Sequence, residues 1–263
     1  METIIGIIPA RMASTRFPGK PLRPIAGIPM LGHVLLRCRR APTLAATYVA
    51  TCDAEIADYV AALGGQAIMT GSHHERCGDR VAEALLTAEQ ALGRRADIVV
   101  LIQGDEPLVR PEMIDEAVAP LLTDETIQIT NLMGEIRTVE EWLDPNEVKV
   151  VVDHDGFALY FSREPIPSGQ KWGGPVPRRK QVCIIPQRRD FLLQFSRLPP
   201  TPLERIESID MLRVLEHGHR VKMVPTRFDV YSVDTPADLE RVAALMPADP
   251  LFAEYCQVAG GVL

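Results

Sequence analysis

The chain lacks paired cysteines, since its five cysteines include no CxxC pair. They are odd in number and widely separated, so neither a disulfide framework nor a zinc knuckle is predicted. No apolar run approaches the roughly 20 residues that a membrane span needs. The N-terminus lacks the cationic and apolar regions of a secretory signal. We therefore expect a cytoplasmic protein with no membrane partner.

Net positive charge is also lacking. The 263 residues carry a formal net charge of −7, which argues against a nucleic-acid partner. If the ligand is a polyanion, the cations that bind it must be concentrated in a few places. The two commonest phosphate-loop motifs are missing as well, because Pro21 follows Gly19-Lys20 where GxxxxGK[ST] needs a hydroxyl residue, and no GxGxxG is present.

The most informative stretch that is present covers residues 4–22. An apolar run at 4–8 predicts a buried parallel strand, which ends at Pro9 and enters a loop of small residues. Small residues let backbone N–H groups approach a ligand, and Arg11, Arg16 and Lys20 supply cations suited to phosphate. The stretch predicts a triphosphate-binding loop; the alternative is a polar surface loop with scattered basic residues.

Strands and helices alternate over the first 122 residues. We predict strands at 4–8, 47–51, 66–69 and 97–102, and helices at 29–41, 54–63, 79–92 and 111–122. This alternation implies right-handed βαβ units around a parallel sheet, whose ligands lie at the carboxyl ends of the strands. The loop after residue 102, which contains Gln103 and Asp105, should therefore share an edge with the cationic loop.

The pattern changes after residue 122. Strands at 127–133, 148–152 and 158–162 predict a mixed or antiparallel extension, and the Gly- and Pro-rich residues 165–180 predict a mobile loop or lid. Helices follow at 191–197 and 203–217, a strand at 221–224, and a strand end leading into a helix at 230–239. No linker divides the chain, so a single domain over 1–263 is expected, with an extension at about 127–180.

Two carboxylates stand at predicted strand ends. Asp105 follows one strand, and Asp234 lies just before Pro236 at the start of a helix, where Asp234 or Thr235 could be the cap. Each has a structural alternative as a turn former or helix cap. Together, facing a cationic loop, they suit Mg²⁺, which binds one or two carboxylates plus substrate phosphates.

Five motifs occur in an order that resembles a known family. They are PARMASTRFPGKPL, GDEP, PNEVKVVVDHDGFALYFSR, PLERIE and VDTPADLERV. In this order they resemble 3-deoxy-manno-octulosonate cytidylyltransferase, which makes CMP-Kdo in lipopolysaccharide biosynthesis. The resemblance implies an α/β, Rossmann-like three-layer fold with a mostly parallel mixed sheet, and a homodimer formed through a small antiparallel extension. It also implies transfer of CMP from CTP to an acidic sugar, with release of pyrophosphate.

The resemblance further implies roles for individual residues. Catalytic residues would be Arg11, Lys20, Asp105 and Asp234, and the last two would bind Mg²⁺. Nucleotide-binding residues would be Pro9, Ala10, Arg11, Ser14, Arg16, Lys20 and Gln103. Residues for the anionic acceptor would be Arg80, Gln103, Gln181 and Asp210. No side-chain nucleophile is needed, because in-line transfer to a hydroxyl depends on positioning and charge neutralisation.

Several positions depart from the family pattern, mainly those expected to contact the sugar. The family motif HxSGTDR appears as HERCGDR at residues 74–80, Cys52 replaces an expected acid, and QVCIIPQ at 181–187 replaces a pattern like HxGIYGY. Asp210-Met211 occupies the place where the family typically has Glu-Gln. These changes leave other acceptors open, such as a modified Kdo or a small phosphonate. A nucleotide-binding paralogue without activity and, less favoured, a glycosyltransferase are further alternatives.

Overall fold

The computed structural model describes residues 2–13 and 17–259, without the side chains of 257–259. Two predicted nucleotide-binding residues, Ser14 and Arg16, lie outside the described part. The chain divides into two compact units, the first made of residues 1–115 and 230–263 and the second of 116–229. The expectation of a single domain over 1–263 stays a prediction. Within the described part, no helix is both long and apolar enough to cross a membrane.

The elements follow the chain in this order. The first unit begins with β1 (Ile4–Ala10), β2 (Pro24–Ile25), β3 (Ile28–Pro29), α1 (Met30–Cys38), β4 (Ala46–Thr51), α2 (Ala54–Ala62), β5 (Gln66–Met69), α3 (Cys77–Leu92) and β6 (Ile98–Ile102). Helix α4 (Pro111–Thr123) contains the boundary between the units. The second unit contains β7 (Thr130–Glu135), α5 (Val139–Leu143), β8 (Lys149–Val152), β9 (Ala158–Ser162), β10 (Arg179–Val182), β11 (Ile184–Arg188), α6 (Arg189–Phe195), α7 (Pro202–Glu207), α8 (Asp210–Glu216) and β12 (Lys222–Pro225). The chain then returns to the first unit with α9 (Pro236–Leu245) and α10 (Pro250–Ala259).

The first unit is built on parallel strands in the order β6-β1-β4-β5. Every residue of β1 and β6 is buried, as their unbroken apolar runs predict. In the register, Ile7 of β1 pairs with Leu101 of β6, and Ala10 pairs with Thr51 of β4. The carboxyl ends of these strands therefore lie at one edge, which confirms that the loops after β1 and β6 share it.

The second unit is a mixed sheet in the order β12-β7-β10-β8-β9. Only β12 and β7 run parallel, whereas β7-β10, β10-β8 and β8-β9 are antiparallel. The predicted change to mixed or antiparallel pairing after residue 122 is thus confirmed. A role for this extension in forming a dimer stays a prediction. Strand β11 was not predicted, because its IIPQR sequence has neither clear alternation nor a sustained apolar run.

The single helix predicted at 203–217 is wrong. The chain leaves the helix at Ser208, whose φ of 55° lies in the left-handed region, and α8 starts afresh at Asp210. The apolar spacing continues across this break, which is why periodicity alone does not reveal it. Ile206 belongs to this apolar spacing, yet its side chain is 77% exposed. Similarly, the strand predicted at residue 230 is absent, and the chain is irregular until α9.

Candidate active site

The loop after β1 is closed by backbone hydrogen bonds. The Gly19 N–H donates to the Met12 carbonyl with an N···O distance of 3.1 Å. Gly19 has a φ of 72°, a conformation that glycine adopts without the steric cost that a Cβ brings. It precedes a short 3₁₀ turn that begins at Lys20. The closed loop therefore sets the direction in which the Lys20 side chain leaves the backbone.

The N-terminal end of this loop is held by Asp53, which sequence reasoning overlooked. The Met12 N–H donates to Asp53 Oδ2 at 2.8 Å, and the Asp53 N–H donates to Thr51 Oγ1 at 3.1 Å. Asp53 stands at the N-terminus of α2 but makes no side-chain cap there. Its position one residue after Cys52, at the end of a strand neighbouring β1, was the available signal. The family's acidic residue is thus absent at position 52, but the carboxylate of the next residue, Asp53, stabilises the loop.

Lys20 lies between two carboxylates at the carboxyl edge of the sheet. Its Nζ donates to Asp105 Oδ2 at 3.0 Å, to Asp234 Oδ1 at 3.4 Å and to the Val233 carbonyl at 2.7 Å. The exposed fractions of the three side chains are 13% for Lys20, 21% for Asp105 and 16% for Asp234. The three residues predicted to be central thus come together, although they are far apart in sequence.

The charge state of Lys20 follows from this environment. Burial, the largest single influence, lowers the pKa of the ammonium group, but the charges and hydrogen bonds of Asp105 and Asp234 together outweigh it. The pKa of Lys20 is consequently raised above its ordinary value. Lys20 is therefore fully protonated at neutral pH, and it presents a partly desolvated positive charge at the sheet edge.

The helix-cap alternative for Asp234 is excluded by the way α9 begins. Thr235 Oγ1 accepts a hydrogen bond from the Asp238 N–H, and the Asp238 carboxylate accepts from the Thr235 N–H, which forms a capping box. Pro236 occupies the first helical position, as predicted. Because Thr235 and Asp238 cap the helix, the Asp234 side chain contacts Lys20 instead.

Asp105 is joined to the same segment through its backbone. The Val233 N–H donates to the Asp105 carbonyl at 2.9 Å, which joins the loop after β6 to the segment before α9. Gly104 keeps the loop close to β1, since a Cβ there would lie 3.4 Å from the Pro9 carbonyl oxygen. The two carboxylates are therefore fixed relative to each other by main-chain contacts as well as by Lys20.

This arrangement fits a hard divalent cation. Two carboxylates contact one ammonium nitrogen, which shows that their oxygen atoms converge on a point that favours positive charge. Carboxylate oxygens beside a position open to substrate phosphates are the donors Mg²⁺ uses in proteins. The residues present are thus compatible with Mg²⁺ at Asp105 and Asp234.

The other predicted nucleotide-binding residues flank this centre. Pro9 and Ala10 form the buried end of β1. Arg11 is exposed, and its Nη1 donates to the His74 carbonyl at 3.4 Å. Gln103 directly follows β6, with its Nε2 3.9 Å from Cys77 Sγ. These positions surround the carboxyl edge of the first unit, while their contacts with a nucleotide stay predictions.

The predicted acceptor residues divide between the two units. In the first, Arg80 is buried and its Nη1 donates to Thr70 Oγ1 at 2.5 Å and to the Gly71 carbonyl at 3.3 Å, so it secures the turn after β5. In the second, Gln181 Nε2 donates to Asn131 Oδ1 at 2.6 Å, and Asp210 begins α8. Their acceptor roles remain predictions.

Comparison with known proteins places the chain among enzymes that use CTP. The cytidylyltransferase family model matches residues 5–223. The 3-deoxy-manno-octulosonate cytidylyltransferase of Geobacter metallireducens is 47% identical over 249 residues, which are 91% of this chain and 96% of the relative. The enzyme of the same name from Geotalea uraniireducens is 46% identical over 249 residues, with 91% and 97% covered.

A solved structure agrees with these relatives. CMP:2-keto-3-deoxy-manno-octonic acid synthetase, determined in complex with CTP, superimposes with a TM-score of 0.85 at 38% identity. The match covers 94% of this chain and 99% of that one. Together with the parallel sheet of the first unit, it confirms the predicted α/β nucleotidyltransferase fold.

Proposed function

The chain belongs to the 3-deoxy-manno-octulosonate cytidylyltransferase family, and from this premise we propose that it transfers CMP from CTP to Kdo with release of pyrophosphate. The observation that carries the proposal is the convergence of Lys20, Asp105 and Asp234 at the carboxyl edge of β1 and β6. Retention of all three argues against a nucleotide-binding paralogue without activity. A cytoplasmic location and a homodimer are further proposals that rest on the sequence.

In the proposed reaction, the anomeric hydroxyl of Kdo attacks the α-phosphorus of CTP. A new O–P bond forms, the bond from the α-phosphorus to the bridging oxygen breaks, and pyrophosphate leaves with that electron pair. The hydroxyl proton passes to solvent. The transition state spreads negative charge over phosphate oxygens, so the protein contributes chiefly by positioning and by charge stabilisation.

Each residue of the centre has a role that follows from its environment. Lys20 remains an ammonium ion, and the closed loop fixes where its side chain leaves the backbone. It would donate to phosphate oxygens by exchanging its present carboxylate partners. Asp105 and Asp234 would hold Mg²⁺, which when bound supplies charge neutralisation at the phosphates. Arg11 lies exposed beside this edge, and we assign it to the triphosphate.

The test is a pyrophosphate-release assay with CTP, Kdo and Mg²⁺. We expect turnover by the natural chain, loss of turnover with excess chelator and recovery when Mg²⁺ is restored. Asp105→Asn and Asp234→Asn should each lower kcat/KM by about 100-fold or more, the size seen when one group that stabilises transition-state charge is removed. Asp58→Asn makes the same change at an exposed position of α2 and should leave kcat/KM within about twofold.

Two outcomes would overturn the proposal. Folded protein that releases no pyrophosphate from CTP with Kdo would exclude this acceptor, and a panel of other 2-keto-3-deoxy acids and small phosphonates would then show whether a different one is used. CTP binding by calorimetry that is indifferent to Mg²⁺, with no turnover of any acid, would show a binding protein without catalysis.

A further inference from the structure

A second group of ligating side chains lies in the first unit, on different residues from the Lys20 centre. His73 and His74 lie on the turn after β5, and Glu83 lies on α3. Each offers one ligand atom, and the three atoms lie within 4.8 Å of one another. In residues 2–13 and 17–259, these three side chains are the one set of His, Cys, Asp and Glu that meets this condition.

Glu83 is already positioned by the backbone. Its Oε1 and Oε2 accept from the Gly71 N–H at 3.0 and 3.1 Å, and its carboxylate also contacts His74 Nε2. The His74 side chain is 13% exposed, and that of Glu83 is 41% exposed. One carboxylate and one imidazole are therefore oriented toward each other at a place that solvent can reach.

His73 completes the group because of a glycine. A Cβ at Gly71 would overlap the His73 ring, so a side chain at this position would displace the ring from where it now lies. The ring centroids of His73 and His74 are 4.1 Å apart, with the planes inclined by 40°. Two protonated imidazoles at this distance repel each other, whereas two neutral ones can share a metal ion.

We propose that His73, His74 and Glu83 bind Zn²⁺, with solvent completing the coordination. Two imidazoles and one carboxylate form a donor set that suits Zn²⁺, whereas Mg²⁺ prefers oxygen ligands such as those of Asp105 and Asp234. Small movements of the exposed His73 side chain would bring all three donors to bonding distance. The inference does not depend on the proposed activity, since none of the three residues is assigned to it.

The bound ion would join the turn to α3. The His74 carbonyl accepts from both Arg11 Nη1 and Arg80 Nη2 at 3.4 Å, so the joined turn would also fix the carbonyl that both guanidinium groups contact. Zn²⁺ would thereby stabilise the first unit at the side where Arg11 is exposed. Thermal unfolding of the metal-loaded protein should consequently occur at a higher temperature than that of the metal-free protein.

The test uses full-length protein without a histidine tag, freed of metal by a chelator and kept in excess Mg²⁺ to fill the Asp105 and Asp234 carboxylates. Calorimetry with Zn²⁺ should give one ion per chain. Co²⁺ should give visible absorption bands of nitrogen and oxygen coordination, without the near-ultraviolet band of a thiolate ligand. His73→Ala and Glu83→Gln should each raise the Zn²⁺ Kd by at least about tenfold, since loss of even an outer-shell partner has an effect of about 10–100-fold.

The matched control is His154→Ala. His154 is an exposed histidine beside a carboxylate, with its Nδ1 2.9 Å from Asp155 Oδ1, but it has no second histidine next to it. Its replacement should leave the Zn²⁺ Kd unchanged. Circular dichroism checks that each variant is folded. If Glu83→Gln does not fold, the Zn²⁺ Kd of His73→Ala, which changes an exposed side chain, tests the proposal by itself. The proposal is overturned if no one-to-one binding occurs, if His73→Ala binds as tightly as the natural chain, or if excess Mg²⁺ displaces the Zn²⁺.

Discussion

Replacing Tyr255 by phenylalanine should weaken the packing of α10 against the rest of the first unit. Tyr255 is 0% exposed, and its hydroxyl lies 2.9 Å from Arg37 Nε and 2.7 Å from His33 Nδ1. The directions of these bonds follow from the partners. His33 Nε2 lies 2.8 Å from the Ile25 carbonyl, which can only accept, so Nε2 carries the proton and Nδ1 accepts from the tyrosine hydroxyl. Arg37 can only donate, so the hydroxyl oxygen accepts from it.

The magnitude follows from what the substitution leaves behind. Phenylalanine keeps the ring, including its contact with the Arg37 guanidinium at 5.4 Å from the centroid. It removes the partner of one buried donor and one buried acceptor. Each unsatisfied buried group costs about 1–3 kcal/mol, so we expect the free energy of unfolding to fall by about 2–4 kcal/mol. The loss should stay below the sum of the two upper values, because Arg37 keeps its ion pair with Asp249 at 2.9 Å.

Urea denaturation followed by circular dichroism measures this loss. Tyr231→Phe is the matched control, because Tyr231 is only partly buried against the apolar cluster of Val233 and Val242, and its replacement should cost less than about 0.5 kcal/mol. Equal losses in the two variants, or a loss below about 1 kcal/mol at Tyr255, would refute the view that the hydroxyl satisfies two buried groups.

Three further predictions concern the same fold. Burial lowers the pKa of His33 to about 4, whereas the unfolded chain binds this proton near pH 6.5. The free energy of unfolding should therefore be highest above about pH 6.5 and should fall by up to about 3 kcal/mol as the pH decreases to about 4. Urea denaturation across this range measures the fall, which should be much smaller in His33→Gln. Gly19→Ala and Gly93→Ala, at φ of 72° and 73°, should each cost about 1–2 kcal/mol in stability, but only Gly19→Ala should also lower kcat/KM for pyrophosphate release, because it moves Lys20. Arg213→Met should lower the free energy of unfolding by about 3–5 kcal/mol, because it leaves the buried Glu204 carboxylate without its bidentate partner. Adding Glu204→Met should restore part of this stability, and chemical denaturation of the single and double variants measures both effects.

The sheet of the first unit was predictable because its signals are local. The apolar runs of β1 and β6 and the helices between them are each contained in a short stretch, and parallel pairing then places their carboxyl ends at one edge. The meeting of Lys20 with Asp105 followed from this topology. Residue types alone sufficed there because the order of strands leaves few alternatives.

Contacts made by irregular backbone or by distant segments were beyond such reasoning. The break at Ser208 depends on one residue in the left-handed region, within apolar spacing that continues on both sides. The hydrogen bonds of Tyr255 with Arg37 and His33 join positions more than 200 residues apart, and a buried arginine gives the same sequence signal as an exposed one at a helix end. Glu83 and His73 are likewise ordinary residues until the turn after β5 folds against α3.

Asp234 shows how structure decides between two roles that a sequence leaves open. An aspartate just before Thr-Pro at a helix start can cap the helix or serve a site, and the residue type is suited to both. The Thr235–Asp238 capping box supplies the cap from within the helix, so nothing in α9 requires the Asp234 carboxylate. That carboxylate lies instead beside Lys20, where two like charges are held near each other and depend on a cation for their stability. Without a ligand, Lys20 supplies this positive charge. When Mg²⁺ binds the two carboxylates in its place, we expect the Lys20 ammonium group to donate to the phosphate oxygens instead.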